Sequence, residues 1–149
     1  MKTLHNVLAA SVIALAISAN VSADTLDTGS TSPTMTVALY ASVTSLGTFA
    51  LTTTGSDGSS GAVYSGSDSF NLESNGQVRV TVAGDNLTLG SDTVTTTYTL
   101  DDSTTTFDTT SDSVHNAAHT VEASATLGAI SAQKAGDYTS SITLTVSSI

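Results

Sequence analysis

Strict alternation of apolar and polar residues is the feature that most restricts this chain. Met35, Val37, Leu39, Ala41 and Val43 alternate with Thr36, Ala38, Tyr40 and Ser42. A period of two puts the first set on one face of an extended strand, and it does not fit the 3.6-residue repeat of an amphipathic helix. Shorter runs of the same kind recur. Phe70 and Leu72 lead to Asn75-Gly76, and Val78, Val80 and Val82 follow it. Asn-Gly between two alternating runs predicts a hairpin with a type I′ turn, because both residues tolerate positive φ. Leu87 and Leu89 form the next run, then Val94, Thr96, Tyr98 and Leu100, then a weaker run of Val121, Ala123, Ala125 and Leu127. In the last, Tyr138, Ile142, Leu144 and Val146 share one face.

Between these runs lie turn formers: Gly84-Asp85-Asn86, Gly90-Ser91-Asp92, Asp101-Asp102-Ser103 and Ala135-Gly136-Asp137. Leu46 to Leu51 reads as the start of a further strand that ends in Thr52 to Thr54. Residues 55–67, rich in Gly and Ser, read as a loop holding a short strand at Val63-Tyr64, and residues 108–118 as a second loop after a short strand at Phe107. About seven to nine short strands at such spacing predict an all-β sandwich or barrel. Hydrophobic residues are 39% of the chain and aromatic ones 5%, with no Trp, so the core must be filled mainly by Val, Leu, Ile and Ala. The absence of cysteine removes the disulfides with which small secreted domains often reinforce a small core, so either the sandwich suffices alone or a partner completes it.

The N-terminal segment has the layout of a secretory signal peptide. Lys2 precedes an apolar stretch that includes Leu4, Val7, Leu8, Val12, Ile13, Leu15 and Ile17, and Val21-Ser22-Ala23 offers small residues before a cut after Ala23. Ser18 and Asn20 interrupt a stretch already short for a bilayer span. The expected organisation is a signal peptide at 1–23, a flexible polar leader at 24–33 with Gly29 and Pro33, and one β domain at 34–149. The mature chain is expected to be secreted, with no membrane insertion after cleavage. It keeps only Arg79 and Lys134 as strong bases against 13 Asp and Glu. That balance leaves no basic patch for nucleic acid or an anionic membrane.

Catalytic signals are weak, and no enzyme is expected. His115 and His119 have the spacing of a helical zinc pair, but they fall in a segment read as loop, without the Glu of a His-Glu-x-x-His motif. No Gly-x-Ser-x-Gly elbow is present, and no Trp offers a sugar platform. No cofactor is expected. Calcium is the best candidate, since Asp57, Asp68, Asp85, Asp92, Asp101, Asp102, Asp108 and Asp112 lie in or near turns. Asp is first of all a turn former, however, and the calcium-loop pattern is absent.

The run from Ala135-Gly136-Asp137-Tyr138 through Ile142, Leu144 and Val146 resembles the final strand of chaperone–usher pilins, of the alternate (colonisation-factor) or the archaic (spore-coat-U-like) type. Thr36-Val37 through Val43 is similar to the Thr/Val-rich strand that opens those mature pilins, and Asn75 through Val82 lies where they carry a Val-rich strand. The chain departs from the archaic type in having no cysteine, and its Pro33 precedes rather than follows the opening strand. The resemblance implies an immunoglobulin-like sandwich that lacks its last strand and receives one from a neighbouring copy. It implies a periplasmic chaperone and an outer-membrane usher as partners, and a place in a surface fimbria active in adhesion or biofilm formation. On that reading residues 34–43 are the donor strand, with Met35, Val37, Leu39, Ala41 and Val43 entering the neighbour's groove. Read without it, the same residues are the first strand of a complete sandwich. The competing functions are then a secreted monomeric module binding carbohydrate or a surface protein, with Tyr40, Tyr64 and Tyr98 as its few aromatics, or a coat or matrix protein of another geometry.

Overall fold

The computed structural model describes residues 29–102 and 104–149. The signal-peptide reading of 1–23 and the first half of the leader lie outside them. The chain divides into two compact units, Met1–Thr36 and Val37–Ile149. In the first, residues 29–36 form neither helix nor strand and are exposed. The second is all β apart from one turn of 3-10 helix at Ile130–Ala132.

Its strands are β1 (Ala41–Thr44), β2 (Val63–Ser74), β3 (Val78–Gly84), β4 (Leu87–Leu89), β5 (Asp92–Val94), β6 (Thr96–Leu100), β7 (Thr106–Asp108), β8 (His115–Thr126) and β9 (Ile142–Ser148). One sheet has the order β1-β2-β8-β6, a second β7-β3-β9, and β4 and β5 form a separate hairpin. All pairings are antiparallel. The first sheet follows the A-B-E-D order of the immunoglobulin sandwich, and the β3–β9 pair follows its C-F pair.

The inward positions alternate as the pleat requires. Phe70 and Leu72 from β2, Tyr98 and Leu100 from β6, and Val121 and Ala123 from β8 meet Val78, Val80 and Val82 from β3 in one buried cluster. Alanines stand opposite larger inward side chains, Ala123 opposite Tyr98 and Ala117 opposite Leu72. That alternation of large and small lets the two faces interdigitate. The Tyr98 hydroxyl donates to the Asp85 carbonyl at 2.6 Å and lies 2.9 Å from Ser140 Oγ, so this buried ring also keeps its polar end paired. Tyr98 is therefore core and not part of an aromatic binding face.

Several sequence expectations are corrected. Asn75-Gly76 is not a hairpin turn: β2 and β3 belong to different sheets, and neither residue has positive φ. The chain crosses there from one sheet to the other, as between strands B and C of an immunoglobulin sandwich. The loop expected at 55–67 ends early, because β2 starts at Val63 and pairs with β8 along its whole length. Its polar stretch Ser65–Ser69 is strand because β8 supplies the ladder from Thr120 to Ser124. Gly66 fits there because any Cβ at that position would strike the Ala50 carbonyl. The strand expected from Leu46 to Thr54 is reduced to one bridge, from Thr52 to Ser65, while Phe49 and Leu51 pack on the core. The strand expected over 35–43 is confined to Ala41–Thr44. Finally, β8 starts at His115, inside the second expected loop, so both histidines lie on a strand.

Candidate functional site

The most unusual feature of the sandwich is one open side. β3 lies between β7 and β9, and its inward residues Val78, Val80 and Val82 are buried. β9 carries the same pattern in Ile142, Leu144 and Val146, which face the same core but remain only half-buried. Among the described residues, no strand pairs with the outer edge of β9. In the immunoglobulin order this is the place of strand G, next to F. Beside that edge an open groove of about 440 Å³ is lined by Leu39, Ala41, Val78, Val146, Ser147 and Ser148. Its sides are β9 and the start of β1, and Val78 from β3 lies between them.

The residues singled out from the sequence are distributed unevenly around this groove. Ala41 and Val43 sit in β1, paired with Ser74 and Leu72 of their own chain, and pack against its core. Leu39 lines the groove of its own sandwich. Met35 and Val37 are 86% and 67% exposed, large values for apolar side chains. Ile142, Leu144 and Val146 share the inward face of β9 as expected from the alternation. Tyr138 does not join them: it precedes the strand, and its hydroxyl donates to the Lys134 carbonyl at 3.0 Å. The groove itself could not be read from the sequence, because its walls come from residues about a hundred positions apart.

Most of the turn aspartates are occupied with structural bonds. Asp57 accepts from the Tyr64 hydroxyl, Asp68 from the Gly47 N–H at 2.6 Å, and Asp85 from Ser141 Oγ at 2.6 Å. Asp92 lies 3.7 Å from Lys134 Nζ, and Asp108 forms a two-point pair with Arg79 at 2.7 and 2.8 Å. Among the described residues, no three His, Asp or Glu side chains are grouped to hold a metal ion.

The two histidines form a different arrangement from either one considered above. Both project from β8 toward the core. His119 stacks 4.4 Å from Phe107 and 5.6 Å from Phe70, which lie in opposite sheets. Its Nδ1 is 2.7 Å from the Asp101 carboxylate, and its Nε2 is 2.9 Å from His115 Nε2. The ring centroids are 5.1 Å apart, larger than the N–N distance by about one imidazole diameter, so the rings meet nearly end to end. A carboxylate only accepts, so His119 Nδ1 carries the hydrogen. In the neutral ring Nε2 of His119 is then the acceptor and His115 Nε2 the donor. Two nitrogens aimed at each other make a hydrogen bond rather than a chelate.

Burial, and then the charge of His119, push His115 below the ordinary imidazole range. Burial acts to raise Asp101, but the hydrogen bonds from His119 and the Thr120 N–H outweigh it and hold the carboxyl below its usual range. A group whose folded pKa is lowered stabilises the fold above its unfolded value and loses that contribution as pH falls. Stability tied to His115 is thus complete above about pH 6.5 and declines below it, while that tied to Asp101 declines only below about pH 4. The denaturant midpoint is expected to drop between pH 7.5 and 5. The His115→Gln variant, which does not titrate there, should drop less, and equal drops in the two proteins would exclude this cause.

No protein-family model and no curated protein matches the chain.

Proposed function

We propose that this protein is a structural subunit of an extracellular fibre, polymerising by exchange of a strand between copies. The observation that carries the reading is the pairing of two complementary deficits in one chain. Among the described residues, β9 has an unpaired edge and a half-exposed core face beside an open groove. Ahead of β1 stands a segment with exposed, alternating Met35 and Val37. An open sheet edge invites pairing with another chain, and adding a strand to it gives backbone bonds for affinity and side-chain pockets for specificity. A second copy offers a segment with the required alternation, and that exchange repeats along a fibre.

The resemblance to chaperone–usher pilins agrees with this reading, and it adds a periplasmic chaperone that covers the groove before assembly, an usher, and a place on the cell surface. The partners are then copies of the same chain, with adhesion or biofilm formation as the role of the polymer.

Material sheared from expressing cells, run on SDS gels without boiling, is expected to give a ladder that collapses to one monomer band on heating. In the Val37→Asp variant the ladder should be lost while the monomer stays folded, since Val37 is mostly exposed in the subunit. A charge at that position would have to be buried against Leu39, Ala41, Val78 and Val146 without a partner of opposite charge. A monomer in both lanes for the unaltered protein, or an undiminished ladder from Val37→Asp, would remove the support for this reading.

A further inference from the structure

The backbone ladder between β1 and β2 reaches its last strand pair at Ala41 and Ser74. One step further, the Asn75 N–H still donates to the Tyr40 carbonyl at 3.1 Å. The chain then turns at Gly76 toward β3 and can no longer present its backbone to the segment before β1. The Asn75 side chain takes over. Its Oδ1 accepts from the Tyr40 N–H at 2.7 Å, and its Nδ2 donates to the Ala38 carbonyl at 2.8 Å. A carboxamide holds one acceptor and one donor group, so it can supply both rungs that a departing backbone leaves open. Gly76 completes the arrangement: a Cβ there would lie 2.9 Å from Leu39 Cδ1, so the glycine leaves room for the side chain that lines the groove.

We propose that Asn75 is a positioning residue for strand exchange, clasping residues 38–40 to their own sandwich so that the segment offered to a neighbouring copy ends at Val37. This rests on the fibre reading above. The clasp has two consequences. Leu39 stays in its own subunit as part of the groove wall, so the donor is shorter at this end than the alternation from Met35 to Val43 suggests. The base of the donor is also held extended before it meets a partner. Ordering a segment in advance lowers the entropic cost of binding.

The clasp acts mainly on donation rather than acceptance, because of the six residues lining the groove it holds only Leu39, while Ala41, Val78, Val146, Ser147 and Ser148 are placed by their own strands. Three measurements on the purified subunit separate the two: exchange of the Tyr40 amide, binding of a synthetic peptide of residues 29–37, and the yield of SDS-resistant polymer. In Asn75→Ala the Tyr40 amide should exchange on the order of 10-fold faster. Polymer yield should fall by a similar factor, while peptide binding should weaken by much less, since Ala41, Val78 and Val146 still line the groove. In Asn75→Asp the Tyr40 amide should stay protected, because a carboxylate oxygen still accepts. Only the bond to Ala38 is lost there, and polymer yield should lie between the other two.

Equal polymer yield from Asn75→Ala and the unaltered protein overturns the positioning role. So does a loss of peptide binding in step with the loss of polymer, which would make Asn75 a support for the whole fold. If the unaltered subunit forms no polymer and binds no peptide, the fibre reading fails and takes the proposal with it. That outcome is distinct, because it needs no variant.

Discussion

Truncation of Phe70 to Ala is expected to lower the unfolding free energy by about 3–5 kcal/mol, the usual cost of removing a buried aromatic ring. Phe70 is 1% exposed and projects from β2 into the cluster shared by both sheets. Its cross-strand partner is His119, whose ring lies between Phe70 and Phe107. Removing Phe70 therefore opens a cavity and also strips one wall from the histidine that carries the hydrogen-bond chain to Asp101. The chain has few aromatic rings, and Phe107 and Tyr98 are committed to other contacts, so no neighbouring ring is free to fill the void. Against the total stability of about 5–15 kcal/mol typical of such domains, this is a large fraction. Urea unfolding should show a lower midpoint with an unchanged slope. A loss under about 1 kcal/mol would mean that the strands collapse around the gap.

The parts of this fold legible in the sequence are those where burial alone decides. Val78, Val80 and Val82, then Tyr98 and Leu100, then Ile142, Leu144 and Val146 alternate in sequence and face the core in the structure. The parts that were not legible depend on what lies across the ladder. Ser65–Ser69 carries no apolar signal and becomes strand only because β8 pairs with it. His115 and Asn116 look like loop residues, yet Ser74 and Glu73 of β2 stand opposite them. Asn75-Gly76 shows the reverse failure. Its local pattern is that of a hairpin, but hairpin chemistry concerns two adjacent strands of one sheet, and here the flanking strands lie in different sheets. The Asn side chain is used instead to hold Ala38 and Tyr40. Alternation from Met35 to Leu39 likewise predicts the capacity to form a strand. It does not say whether an edge is available, and only Ala41–Thr44 finds one within the chain.

An added strand at β9 should convert the subunit into a more stable protein that does not polymerise. The direct means is a copy of residues 29–40 joined after Ile149 by a short flexible linker, so that it returns antiparallel along the outer edge of β9. Short linkers hold such a segment at an effective concentration in the millimolar range, well above that of a neighbouring molecule in dilute solution. Ordering the added residues costs conformational entropy, which backbone bonds along the edge offset only in part. The balance is set by apolar burial on both sides of the groove: Met35 and Val37 of the copy enter it, and Ile142, Leu144 and Val146 complete a burial that is now only partial. The expected result is a net gain of a few kcal/mol, which for a domain of this size should raise the unfolding midpoint by about 10 °C. The ladder on unheated SDS gels should vanish, because the edge that accepts a neighbour is filled. Val37→Asp made only in the appended copy should cancel the rise in the midpoint and restore the ladder, since the original segment is intact and the groove is open again. An extended protein that melts where the unextended one does would mean that the β9 edge does not accept this segment. The alternating residues before β1 would then need another role.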